Sequence, residues 1–483
     1  ARETLAERGV ILSDSWRVLS RVETPLNQDD RFIWQEGGKD VYDTLMSEYI
    51  SAPCWKVRFA QFEGDVAERA EEYQVWIDGN HNITRIRHKL PEGRSGATIP
   101  VDEARALADS VIAATYGIDP FGLKEISAKP LALPDRQDWE FVFSDTAGYP
   151  LGDGEARITV GIAGDEPNDT YRHIHVPEEW EREERDQRNT LNVLQIFCAT
   201  IQVLLILAGI VGALVSWGRK HFSVPAFSGC LALLLGLRII EQANGWPATV
   251  ARFSTAEPFF NQVFSAIAFS LLGSIVVSLG IGLLAGFIHK WRTNQPQVQG
   301  GKTVGVGYAV GFLAVGLLTL IKGAAPSFAP TWANYQALNN YLPILSAGLN
   351  PVAHYITTTV LMLLLFTAAD RLSKGWTQRK PLTSVVLISL GLILAGSQID
   401  SVTHWLLTGV VTGIILFLAY RIVLRFGLAL VPLAVAPIMI LGAIKEAIYG
   451  ATVCALPGAT IVTVLCVLVS IYWFKKMNAT AER

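Results

Sequence analysis

Few side chains in the apolar second half of the chain can do chemistry, and their spacing limits what that chemistry is. Asp400 and His404 stand four residues apart, which places both on one face of a helix. His354, in the stretch "LNPVAHYITTTVLMLLLFTAADRL" (349–372), falls near the outer end of another apolar segment. Two histidines and a carboxylate form a donor set that binds a metal and activates water. His354, Asp400 and His404 therefore define one candidate, a metal-dependent membrane protease or other hydrolase. A plainer expectation competes with it: each residue sits within a turn of the outer interface, where water satisfies it, and the Asp–His pair caps a helix. Arg238 and Glu241, three apart, read as an interfacial ion pair, whereas the adjacent Lys445 and Glu446 cannot face each other. Thr357, Thr358 and Thr359 are expected to bond the carbonyl one turn back. His173 and His175 alternate on a strand and read as surface residues. Cys54, Cys198, Cys230, Cys454 and Cys466 show neither zinc nor disulfide spacing, and no cofactor is implied.

The elements that must position these groups follow from charge and hydropathy. Residues 1–190 carry 22 Lys/Arg against 37 Asp/Glu, and residues 191–483 carry 18 against 6. An acidic soluble part argues against nucleic acid as a partner, and the basic remainder has its cations in loops beside anionic lipid. Apolar stretches of bilayer length recur at about 191–217, 222–242, 262–288, 303–322, 343–369, 381–398, 402–420, 428–445 and 455–474. The expected fold is an α-helical polytopic membrane protein with about nine transmembrane helices and an N-terminal soluble α+β domain. Alternate loops, at 218–221, 289–302, 370–380, 420–427 and 474–483, are basic and therefore expected to be cytoplasmic. That places the acidic domain outside and the C-terminus inside. The chain opens on "ARETLAERGVIL" with neither an initiating Met nor a signal peptide, so a leader or anchor helix is expected before it.

Within the soluble part the pattern repeats. "VDEARALADSVIAATYG" (101–117) has helical spacing, and "DWEFVFSD" (138–145) and "EARITVGIAGD" (155–165) alternate with period two. An earlier helix and the strands at 55–61 and 71–90, the latter with a "DGN" hairpin turn, form a similar unit. Two tandem modules, 1–95 and 96–189, are expected, followed by a bundle at 190–477 and a tail at 478–483. The polar helix "VPEEWEREERDQRN" (176–189) is expected to run into the first span.

A tandem outer domain ending in "RITVGIAGDEPNDTYRHIHVPEEWEREERDQRN", followed by many spans, resembles the long bacterial members of the CAAX-protease and bacteriocin-processing (CPBP) family of glutamic-type intramembrane proteases. The outer modules are similar to PepSY domains. The resemblance implies a Glu-Glu-x-x-x-Arg motif on one span and a His on each of two later ones. Laid over 349–372, that motif's two Glu fall on Met362 and Leu363 and its Arg on Thr367. Anchoring on "VLRFGLALVPLAVAP" (423–437) puts the two His positions at Ser397 and Ala436. Met362 and Ser397 would share one depth if the chain reversed at Pro381. Slippage of the register does not restore the motif, because residues 191–483 contain Glu only at 241, 257, 446 and 482. Loss of a general base and its oxyanion partners costs orders of magnitude in rate.

The leading expectation is a pseudo-protease in a bacterial inner membrane, acting as a structural, accessory or binding subunit whose partners are other membrane subunits and lipids. The hydrolase built on His354, Asp400 and His404 is the alternative. A small-molecule transporter is a second alternative, disfavoured because the spans lack an inverted repeat and a midplane charge.

Overall fold

Period-two alternation through the first 190 residues produces eight antiparallel strands in one sheet. They are β1 (Arg17–Glu23), β2 (Cys54–Ala60), β3 (Glu72–Ile77), β4 (Ile83–Lys89), β5 (Leu123–Ala132), β6 (Gln137–Asp145), β7 (Glu155–Ala163) and β8 (Glu166–His175). The computed structural model describes residues 1–46, 48–62, 70–146, 148–291, 301–397, 399–450 and 452–479. Most of the basic loop 289–302 and the end of the tail lie outside the described residues. The strand order β1-β2-β3-β4-β8-β7-β6-β5 is two four-stranded meanders joined through their last strands. The tandem modules therefore share one continuous sheet, with Arg87 opposite Asp169 at the seam. The "DGN" turn closes the β3–β4 hairpin: Asp78 receives the N–H groups of Asn80 and Asn82 on its carboxylate.

Helices cover one face of this sheet. Helix α1 (Arg2–Glu7) buries Leu5 against β2 and β3, whereas α2 (Gln28–Phe32) and α3 (Gly38–Leu45) bury Phe32, Tyr42 and Leu45 in the same core as α4 (Val101–Tyr116) of the second half. Ala104, Ala108 and Ile112, one turn apart along α4, lie in a core with Ile158, Val160 and Ile162 of β7. The helix stops at Gly117, whose left-handed φ of 66° a residue without Cβ adopts freely.

Among the described residues the apolar half forms nine main helices: α5 (Glu178–Gly218), α6 (Val224–Asn244), then, after the single turn α7 (Trp246–Val250), α8 (Phe259–Trp291), α9 (Gly301–Ala324), α10 (Pro343–Ser373), α11 (Lys380–Ala395), α12 (Val402–Ile422), α13 (Val431–Tyr449) and α14 (Ala455–Ala479). Eight of them are long and apolar enough to cross a membrane among the described residues, so this is a membrane protein. The sixth expected span, 381–398, is the exception: its helix is shorter than its hydropathy suggested. At 1.5 Å per residue α11 reaches only about 24 Å, against a hydrocarbon core of about 30 Å. It ends at Ala395, and the next residue, Gly396, approaches α5 so closely that a Cβ there would lie 2.3 Å from Cys198 Cβ.

By backbone proximity the chain divides into two units. The first contains residues 1–184, 245–268 and 327–341, and the second the remaining 185–244, 269–326 and 342–483. Two inter-span segments that look like plain loops in sequence are thus part of the soluble unit. Arg58 of β2 donates its Nη1 to the carbonyls of Ala251 and Phe253, at 2.9 Å each. Trp34 and Gln35 donate to the carbonyls of Ser327 and Phe328.

Candidate membrane-embedded site

Helix α10 is the hub of the second unit. Its buried stripe runs Val352, Ala353, Tyr355, Ile356, Thr359, Val360, Leu363, Phe366, Thr367 and Ala369, a helical repeat wide enough to pack against α6, α13 and α14. Tyr355, fully buried, donates its hydroxyl to the carbonyl of Pro432 on α13. Tyr308 of α9 shares a 2.7 Å hydrogen bond with Ser470 of α14. Each phenol thus brings its apolar body into the core while its polar end is satisfied.

Close approach of these helices depends on glycine. A Cβ on Gly311 of α9 would lie 2.2 Å from the Ala434 carbonyl oxygen of α13, and one on Gly307 would lie 2.6 Å from Leu433 Cβ. On the α11–α12 pair, Gly391 faces Gly409 and Gly413 so tightly that a Cβ would lie 2.1 Å from the Gly413 nitrogen. Both pairs use the Gly-x-x-x-Gly spacing that lets backbones touch where lipid supplies no hydrophobic drive. That spacing is present in the sequence at 307–311 and 409–413, where neither pair carries an ionisable group.

The positions that would carry the protease chemistry lie in this packing. Leu363 is 4% exposed, Thr367 is 3% and Ala436 of α13 is 0%, while Met362 is half-buried against the same core. Ser397 does not join them. It follows the end of α11 and is exposed. The chain does not reverse at Pro381: α10 ends at Ser373 and α11 begins at Lys380. Met362 is then about 16 Å of helix from the turn and Ser397 about 25 Å, so the two do not share a depth on that count.

The metal candidate does not assemble. His354 is exposed on α10. Asp400 Oδ2 stands 3.9 Å from His404 Nδ1, too far for a hydrogen bond, and the Asp400 side chain is largely in the open. Ser401 is the residue that caps α12, accepting the His404 N–H at 3.1 Å. No group of three His, Cys, Asp or Glu side chains is placed to hold a metal ion among the described residues. Arg238 and Glu241 do not close the expected ion pair; Arg238 Nε is buried without a hydrogen-bond partner. Lys445 and Glu446 are both exposed. Thr357 bonds the Ala353 carbonyl at 3.0 Å, as a threonine in a span should, but Thr359 does not follow the expectation: its Oγ1 is buried without a hydrogen-bond partner. In the soluble unit His173 and His175 are half-buried rather than on the open surface. Burial, then the charge of Arg157, pushes His173 down to about 4, so it is neutral at physiological pH.

Compared with protein-family models, with curated proteins and with solved structures, the chain matches none.

Proposed function

We propose that the protein is a non-catalytic integral membrane subunit, a relative of the CPBP intramembrane proteases in which a catalytic bundle has become a scaffold. The observation that carries this reading is the burial of Leu363, Thr367 and Ala436 in one packed core, where a working enzyme of that kind needs a carboxylate, a guanidinium and an imidazole open to substrate and water. A site built from such groups must be polar and hydrated. The bundle instead offers exposed apolar flanks, such as Phe264, Phe269 and Leu272 of α8, the surface on which another protein's transmembrane helix or a lipid packs. The PepSY-like unit, with its inter-span segments, supplies a docking surface for a partner of the same complex.

The orientation proposed is soluble unit outside and C-terminus cytoplasmic, in a bacterial inner membrane; it needs nine crossings, so the short α11 must also cross, with the bilayer thinned around it. Support comes from the joining of 245–268 and 327–341 to the soluble unit, which requires those segments to share its side. The basic loops alternate with them and belong on the opposite, cytoplasmic side. Neither the hydrolase nor the transporter reading gains a supporting contact.

Native purification in mild detergent tests the proposal. The expected result is co-migration with other membrane proteins and no cleavage of peptide or prenylated-peptide substrates. A protein that migrates alone and cleaves reproducibly, with the activity lost on His404→Ala, would instead establish an enzyme.

A further inference from the structure

At the seam between the two halves of the sheet, His88 of β4 is enclosed by ionisable groups from both. Its side chain is 4% exposed and stacks on Tyr73 of β3, ring centroids 3.8 Å apart and planes 11° from parallel. Nε2 lies 2.8 Å from Glu71 Oε1, at the lead-in to β3, and Nδ1 lies 2.7 Å from Glu166 Oε1, at the start of β8. Arg94, beyond β4, donates to the same Glu71 oxygen at 2.6 Å.

A carboxylate only accepts, so both ring nitrogens must donate, and an imidazole donates from both only when protonated. We propose that His88 is a protonation-dependent clasp that closes the β4–β8 strand seam as an imidazolium and loosens it on losing its proton, while the core shared by α2, α3 and α4 keeps the two halves of the unit together. With His88 charged, two cations balance two carboxylates. Neutral His88 leaves one nitrogen lone pair directed at a carboxylate in a site shielded from water, an arrangement that is repulsive rather than merely unbonded. Burial alone would lower the imidazole's pKa; the hydrogen bonds to Glu166 and Glu71 outweigh it and hold the pKa above the ordinary histidine value. A histidine raised in this way stabilises fully below its unfolded pKa, and the stabilisation is lost as pH rises through the folded one. Glu166 is 48% exposed, so the proton has a route to solvent. The seam's remaining polar tie is Asp169 with Arg85 and Arg87, which has no comparable switch.

Hydrogen–deuterium exchange of the full chain in mild detergent, between about pH 5 and about pH 9, tests this, each amide rate being divided by its intrinsic rate at that pH. Protection at 83–89 and 166–175 is expected to fall about tenfold as pH rises, the consequence of losing one charge-assisted hydrogen bond. Strands β6 and β7 should hold their protection, which separates the clasp from any titration that weakens the whole unit. Glu166→Gln should abolish the pH dependence, because an amide can donate to a neutral imidazole. Protection at the seam that ignores pH, or the same pH dependence in Glu166→Gln or in a folded His88→Gln, would overturn the clasp.

Discussion

Asn339 pairs with Val22 as a neighbouring strand would: its Oδ1 accepts the Val22 N–H at 2.6 Å and its Nδ2 lies 3.4 Å from the Val22 carbonyl oxygen. Val22 lies on β1, at one edge of the sheet. One side chain from the 327–341 segment thus satisfies backbone groups that an open edge would present to another chain. Asn339→Ala is expected to lower the stability of the soluble unit by about 1–2 kcal/mol, the cost of leaving these groups without partners. The change should be visible as faster amide exchange confined to 17–23. Unchanged exchange there would mean that water replaces the asparagine without cost.

Arg58 and Glu72 form the charge pair that anchors the other inter-span segment. Nε and Nη2 of Arg58 reach the two carboxylate oxygens at 2.5 and 2.9 Å, while its Nη1 takes the carbonyls of Ala251 and Phe253. Burial disfavours the charged form of Glu72, but the hydrogen bonds and charge of Arg58 outweigh it and hold the carboxyl below its usual range. Arg58→Ala strands a buried carboxylate and should cost about 3–5 kcal/mol. Pairing it with Glu72→Leu should recover much of that loss in denaturant unfolding. A double variant no better than the single one would locate the damage in the freed carbonyls of Ala251 and Phe253.

Asp29 sets a pH dependence of its own. Burial, then the charge of adjacent Asp30, pushes its carboxyl up to about 6. A raised acid binds its proton more tightly in the folded state, so the stabilisation is complete below the unfolded pKa and lost as pH climbs through 6. Asp29→Asn should therefore stabilise the unit at neutral pH, by up to about 3 kcal/mol, and make little difference near pH 4. Thermal unfolding followed across that range checks it; a gain that is the same at both ends would sink the titration argument.

Most of this architecture was legible in the chain, and the misses have physical causes. Each of the nine apolar stretches coincides with a helix among the described residues, and eight of these are long enough to span, because bilayer-length hydropathy depends on composition alone. Strands β3, β4, β6 and β7 alternate cleanly because one face of each is buried. Strand β1 lies at an edge with only Leu19 buried, and β5 carries Lys124, Lys129 and Pro130 along a largely exposed edge, so neither offers a strong period. The partnership of 245–268 with β1 and β2 rests on main-chain carbonyls that accept from Arg58 and on Phe259, which meets Arg17 and Phe62; such long-range pairs leave no periodic pattern in the sequence. At the candidate site, the absence of Glu pairs was visible at once. The exposure of Ser397 was not, because it depends on where α10 ends and α11 begins.

Leu363 decides whether the bundle interior is a packed core or an open cavity. A carboxylate at a side chain only 4% exposed, among Phe366, Val360 and Ala436, has no charged partner to meet. Leu363→Glu is expected to destabilise by about 3 kcal/mol or more, or to prevent accumulation in the membrane. Met362→Glu, on the half-buried neighbour, should be tolerated better. Wild-type thermal stability for Leu363→Glu would show that hydrated space exists there and would weaken the pseudo-protease reading.

The α11–α12 contact gives the sharpest steric prediction. Gly391→Ala places a methyl 2.1 Å from the Gly413 nitrogen and 2.5 Å from the Gly409 carbonyl oxygen, and backbone cannot yield as a side-chain tip can. Separating the two helices should cost about 1–3 kcal/mol. Gly236→Ala on α6 meets nothing within 4 Å, so the better helix propensity of alanine should leave that variant neutral or more stable by up to about 1 kcal/mol. The comparison is made by heating both variants in mild detergent and measuring the folded fraction by size exclusion. If the two behave alike, the glycines of α11 and α12 do not set the distance between the helices, and the packing account of this bundle fails at its tightest point.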